Sequence, residues 1–180
     1  MNENKNAVYK YSHWSKDPCQ CLRTGYCTNL KRYFDEEFDA IYYEFTDVHS
    51  QKTHKLIETF AYIGDEVSPE NIKTVVGEDV EDLPLLEQLV YHYENSILWG
   101  FRSARAEDRY NFERDLKRWL EFPQKAWNYF CGPETPTTQQ IEEKIKRLKE
   151  DFEKSDMEYS AIITEYEKKL AEFKERLAHI

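Results

Sequence analysis

Residues 30–63 read LKRYFDEEFDAIYYEFTDVHSQKTHKLIETFAYI, and the fold class turns on whether this stretch is helix or strand. Leu30, Tyr33, Phe34, Phe38, Ile41, Tyr42, Phe45 and Val48 recur at short steps, with Asp35, Glu36, Asp39, Glu44 and Asp47 between them. That spacing suits an amphipathic helix. The apolar face continues through Leu56, Ile57, Phe60 and Ile63, giving one long helix or two broken near His49 and Ser50, with Gly64 as a stop. Strand is the competing reading for Ile41 to Phe45, because aromatic and β-branched side chains suit a pleated surface. The periodicity favours helix, and with it an all-α fold: a helical bundle with a coiled-coil-like C-terminal helix.

Downstream, Ser68-Pro69-Glu70 has the chemistry of a helix opening and Gly77 that of a stop. Leu85, Leu86, Leu89, Val90, Tyr93, Ile97, Leu98, Phe101 and Ala104 predict a long buried helix, and Phe112, Leu116, Trp119 and Leu120 a further one, stopped at Pro123. Lys125 to Cys131 makes an aromatic turn. From Thr137 the apolar positions Ile141, Ile145, Leu148, Phe152, Tyr159, Ile162, Tyr166, Phe173 and Leu177 define an amphipathic helix, opened by a Thr137–Gln140 capping box. At 1.5 Å rise it would be about 65 Å long, so its stripe needs a partner in this chain or in a second copy. The heptad pattern stutters between Ile162 and Leu170, and Ser155 falls on the seam, which weakens the middle of the helix.

Upstream, residues 1–28 show neither period and carry the turn signals Asp17-Pro18 and Thr24-Gly25. The expected organisation is an irregular segment over 1–29, an acidic aromatic-rich helical body over 30–132 and the long helix over 137–180. His13, Cys19, Cys21 and Cys27, spaced H-x5-C-x-C-x5-C, are four soft ligands that would suit zinc, with Cys131 as a substitute for His13. The alternatives are a set of reduced structural or partly exposed thiols, and a redox dithiol.

Composition narrows the classes. Five Gly and six Pro in 180 residues imply long elements joined by few turns, and 40% hydrophobic with 27 aromatic residues is too apolar for a disordered chain. No stretch resembles a signal peptide or a membrane span, so a soluble cytoplasmic protein is expected. The net charge of −10 is concentrated: residues 33–94 hold sixteen acids against Lys52, Lys55 and Lys73, while residues 1–32 and 95–131 are net basic. Such a field repels phosphate backbones and attracts basic surfaces, so direct nucleic-acid binding is disfavoured.

Catalytic signatures are scarce. The closest two glycines, Gly64 and Gly77, lie thirteen residues apart, so no phosphate-cradling loop exists, and no His follows a Glu by three residues. On a helix, His54 and Glu58 would lie one turn apart, as candidates for metal ligation or proton exchange beside Glu44, Asp47 and His49. Arg102, Arg105 and Arg109 share a helical face, and Arg114, Lys117 and Arg118 form a second basic group beside Trp119. They could bind a phosphate backbone with aromatic stacking, but the preferred expectation is that they pair within the chain or across an interface, against the acidic block.

The functional expectation is a non-catalytic protein-binding module with a basic protein partner. In its sharper form it is an acidic inhibitor or decoy of a nucleic-acid-binding protein or enzyme, of the mobile-element or anti-defence type. The partner-binding acids would be Asp35, Glu36, Asp39, Glu78, Asp79, Glu81 and Asp82. A homodimeric adaptor assembled through the C-terminal helix, and a metal-dependent enzyme, are the alternatives.

Overall fold

The computed structural model describes residues 7–13, 23–73 and 84–180. Five strands come first: β1 (Val8–His13), β2 (Arg23–Asp35), β3 (Ala40–Asp47), β4 (Thr53–Ile57) and β5 (Ala61–Val67). Four α-helices follow: α1 (Leu85–His92), α2 (Trp99–Glu121), α3 (Pro123–Phe130) and α4 (Thr138–Ala178), with a π-helical turn over Tyr93–Leu98 joining α1 to α2. The fold is therefore mixed α/β with a five-stranded antiparallel sheet, and the all-α expectation fails on residues 8–13 and 23–67. The chain divides into two compact units, Met1–Ser96 with Glu172–Ile180, and Ile97–Ala171.

In the first unit the strand order is β4-β3-β2-β1-β5. β4 and β5 occupy opposite edges, yet only the 3₁₀ turn Glu58–Phe60 joins them. Across a flat sheet the edges would stand about 19 Å apart, four spacings of about 4.8 Å. Four residue steps reach at most about 14 Å even fully extended. The sheet must therefore curl. Its inner face follows from the register, in which Tyr11 pairs with Gly25, Cys27 with Asp47, Phe45 with His54 and His13 with Ala61. All eight are buried. The Tyr11 ring lies flat over Gly25, so close that a Cβ there would sit 2.6 Å from ring atoms. The outer face is solvated, with Glu44 bridging Lys31 at 3.9 Å and Lys55 at 3.4 Å across three strands, and Tyr33 stacked on Tyr42.

The turns explain why helix was the wrong reading. Asp35 Oδ1 accepts the amides of Glu37 and Phe38, and Asp47 Oδ1 those of His49 and Ser50, so each carboxylate folds the chain back on itself. Asp39 and Gln51 then take left-handed φ of 49° and 59°, and Asn29 takes 53° where the β2–β3 register shifts. Reversals usually marked by glycine are made here with Asp, Asn and Gln. The segment expected to be irregular supplies β1 and most of β2. Ser68-Pro69-Glu70 opens only a 3₁₀ turn, Pro69–Asn71, without a side-chain cap. The Gly77 stop lies outside the described residues.

Helix α1 closes one edge of the sheet. Gln88, fully buried, accepts the Ile57 amide at 2.9 Å and donates to the Lys55 carbonyl at 2.9 Å, so its carboxamide takes the place of a neighbouring strand along β4. Tyr93 donates to the Phe38 carbonyl, and Phe173, near the end of α4, packs edge-on against Phe38 and Tyr93.

In the second unit α2 and α4 run antiparallel. Phe101 stacks on Tyr166 and Phe112 on Phe152, while Trp119, Ala126 and Trp127 form a core covered by Ile141, Ile145 and Leu148. The capping box is reciprocal: the Thr137 amide donates to Gln140 Oε1, and the Gln140 amide to Thr137 Oγ1. Ile163, not Ile162, is the buried member of the stripe. The stutter therefore falls near Ser155 and Asp156, where the contacts turn polar: Ser155 donates to Asp108, and Arg105 grips Asp156 with two bonds of 2.7 and 2.9 Å. The stripe of α4 finds its partners within the chain. No helix among the described residues is long and apolar enough to cross a membrane.

Candidate functional site

The predicted metal set is only partly within the described residues, because Cys19 and Cys21 lie outside them. His13 pairs with Arg23 and Cys27 with Tyr9, four positions away on neighbouring strands. At about 3.3 Å per residue this is a separation on the order of 13 Å, so these two are not brought together. Burial, reinforced by the adjacent Asp47, pushes the Cys27 thiol up to about 12, which keeps it protonated. Cys131 is exposed at the end of α3. Among the described residues no three His, Cys, Asp or Glu side chains converge as a metal site.

The histidines near 49–54 are not set one turn from Glu58, because their segment is sheet. His54 faces Phe45 on the inner face, and Glu58 instead accepts from Tyr43 at 2.9 Å and pairs with Arg32 at 3.2 Å. Asp47 is wholly buried but fully employed, taking the Tyr11 hydroxyl on Oδ2 at 2.6 Å and two turn amides on Oδ1. His92 accepts from or donates to Thr59 at 2.6 Å, and burial lowers its pKa. These groups hold the sheet unit together.

Of the predicted partner-binding acids, Asp35, Glu36 and Asp39 meet at the β2–β3 turn, while Glu78, Asp79, Glu81 and Asp82 lie outside the described residues. Asp35 is half-buried and spends its carboxylate on the turn; Glu36 and Asp39 are exposed. The sequence reading missed Asp65, Glu66 and Glu70, on or just after β5, which are exposed as well. None of these five exposed acids makes an ion pair among the described residues, whereas Glu37 pairs with Arg176, Glu44 with two lysines and Glu58 with Arg32.

The arginines of α2 behave differently. Arg102 binds Glu167 at 2.7 Å, and Arg105 and Arg109 converge on Asp156 at 2.7 and 3.4 Å. The Arg105 bonds hold the Asp156 carboxyl below its ordinary range. Their partners come from α4, not from the acidic block. These arginines, with Tyr110, Glu113 and Ile163, line an open groove of about 620 Å³ whose cations are already matched by acids. At the α2–α3 corner, Leu120, Phe122, Tyr129 and Phe130 are exposed, with Arg118 over Tyr129 and Lys125 over Phe122.

Comparison of the chain with protein-family profiles, with characterised proteins and with solved structures finds no match.

Proposed function

We propose that the chain is a non-catalytic protein-binding module whose sheet unit presents acids to a basic protein surface. The observation that supports this reading is the concentration of acid: residues 33–94 hold sixteen acids against three lysines, whereas the exposed acids of α4 alternate with lysines. Glu36, Asp39, Asp65, Glu66 and Glu70 face water without a cationic partner among the described residues, while Arg102, Arg105 and Arg109 are occupied by Glu167 and Asp156. Unmatched charge on a rigid sheet steers association and selects a partner of opposite sign. In its sharper form the partner is a nucleic-acid-binding protein or enzyme, and the acids stand where phosphates would.

Two variants of equal net charge test it. Glu36→Lys/Asp39→Lys/Glu66→Lys reverses acids of the sheet unit, and Glu142→Lys/Glu153→Lys/Glu158→Lys reverses exposed acids of α4. Affinity capture from cell extract over a salt series should retain basic proteins on the parent and the α4 variant. The sheet variant should lose them, and retention should fall steeply as salt screens the exposed charges. Equal loss by both variants, or capture indifferent to salt, refutes the assignment.

A further inference from the structure

We propose that the outer edge of β5 is a strand-addition site for an extended, basic peptide segment; this rests on the basic-partner reading and supplies its mode of capture. A five-stranded sheet has two edges, and each edge strand carries a row of backbone donors and acceptors that seek a partner. Here the two edges are treated differently. Along β4 the buried Gln88 carboxamide answers the Ile57 amide and the Lys55 carbonyl. Along β5 the backbone pairs with β1 on one side, and on the other no backbone or side-chain bond is made among the described residues. Tyr62, Asp65 and Glu66 on this strand are exposed, Tyr62 at 69%.

Charge selects the occupant. Asp65 and Glu66 are consecutive exposed acids on this strand, at the place where the register against β1 shifts. A strand laid beside them meets two adjacent carboxylates, and cross-strand partners of opposite charge stabilise where like charges destabilise. A second copy of this chain, pairing β5 to β5, would set carboxylate against carboxylate. The register also shifts opposite Gly64 and Asp65, which turns the edge away from a straight match with itself. A segment with adjacent Lys or Arg residues answers both carboxylates, and Tyr62 offers an exposed ring on which a cation or an apolar side chain can rest. Backbone bonds then supply affinity while the two acids set the sequence preference, as in other cases of peptide addition to a sheet edge.

The test uses the full chain and a synthetic peptide, Lys-Val-Lys-Arg-Val-Thr-Lys, matched to the seven residues of β5. Two controls accompany it: the same peptide N-methylated at alternate amides, which keeps the charge but removes edge bonding, and a peptide with Glu in place of each basic residue. The basic peptide should bind with salt-sensitive affinity and slow hydrogen exchange at amides within residues 61–67. N-methylation should weaken it at least tenfold, and Asp65→Lys/Glu66→Lys should do the same without altering the melting temperature of the free protein. Equal binding of the N-methylated peptide overturns strand addition while leaving capture by charge intact. Equal binding of the Glu peptide, with the same exchange protection, overturns the basic-partner reading while the edge remains open. Protection of 61–67 that rises with protein concentration and needs no peptide overturns the proposal in favour of a second copy.

Discussion

The two units distribute charge differently: exposed acids of α4 such as Glu142, Glu153 and Glu158 alternate with lysines, whereas those of the sheet unit stand in a stretch with few bases. In the helical unit, α4 carries acids to the arginines of α2, so Arg102, Arg105 and Arg109 end in ion pairs and the groove between them is balanced. In the sheet unit, Lys31, Lys55 and Arg32 satisfy Glu44 and Glu58 on the outer face, and the acids at the β2–β3 turn and on β5 are left over. The difference teaches where to look for a partner. A surface whose charges are matched internally gains little from a charged ligand, whereas unmatched charge is available for steering.

The largest effect should come from removing the helix that both units share. Truncation after Thr135 takes away the cover over Trp119 and Trp127, the stacking partners of Phe101 and Phe112, and Phe173 from its seat between Phe38 and Tyr93. The truncated chain should be insoluble or lose its cooperative melt; a soluble protein with an unchanged transition would show that neither unit needs α4. Next comes Gly25→Ala, which forces a methyl into the Tyr11 ring above a buried carboxylate. Overpacking of this kind costs about 1–3 kcal/mol, and losing the Tyr11–Asp47 bond as the ring moves adds a comparable penalty. Chemical denaturation should place this variant well below the parent, and Tyr11→Phe between them.

The Cys27 thiol gives the sheet unit an alkaline pH signature. Its pKa is raised to about 12 in the folded chain against an ordinary 9.0, so folded and unfolded forms bind the proton equally only well below pH 9. Between pH 9 and 12 the unfolded chain releases a proton that the folded chain keeps. The unfolded state then binds fewer protons, and stability falls as pH rises through that window. Denaturation midpoints measured across it should decline for the parent, and less steeply for Cys27→Ala. The same burial predicts that a thiol reagent labels Cys131 at once and Cys27 only on unfolding.

How much of this was legible depends on how local the signal is. In α4 each apolar residue meets its helical neighbours within four positions, and the Thr137–Gln140 box closes within three, so both could be read directly. The seam failed at Ile162 against Ile163, because the stutter lies near Ser155 and Asp156, one turn or more before the place where the heptads were expected to slip. In residues 30–63 the same apolar letters belong to strands, and the evidence lay in the turns. Asp35, Asp39, Asp47 and Gln51 build those turns, but the first three look like the polar face of a helix, and scarcity of glycine argued against reversals. The alternation of Tyr9, Tyr11 and His13 with Lys10 and Ser12 was present in the sequence and too short to outweigh the turn signals on either side. Gln88 could not have been foreseen at all, since its role depends on the β4 edge 31 residues away. The exposed acids of β5 were missed for the same reason: only the strand order shows that they lie on an open edge.

The smallest effects come from exchanging backbone freedom in opposite directions in the two units. Gly100 lies in α2 with nothing within 4 Å of the place a Cβ would take, so Gly100→Ala should stabilise the helical unit by up to about 1 kcal/mol through helix propensity. Gln51 in the β3–β4 turn holds φ of 59°, where its Cβ is strained by roughly 1–2 kcal/mol. Gln51→Gly relieves that strain but frees the unfolded chain at a cost of about 0.5–1 kcal/mol, and it gives up the Gln51 side-chain bond to the Val48 carbonyl. The net gain should be a few tenths of a kcal/mol at most, below that of Gly100→Ala. Glycine therefore removes stability in one unit and adds it in the other, and the double variant should be additive, because the sites share no partner. If Gln51→Gly lowered the melting temperature, the turn would rest more on that side-chain bond than on its backbone, and the Asp47 carboxylate alone would not suffice to reverse the chain.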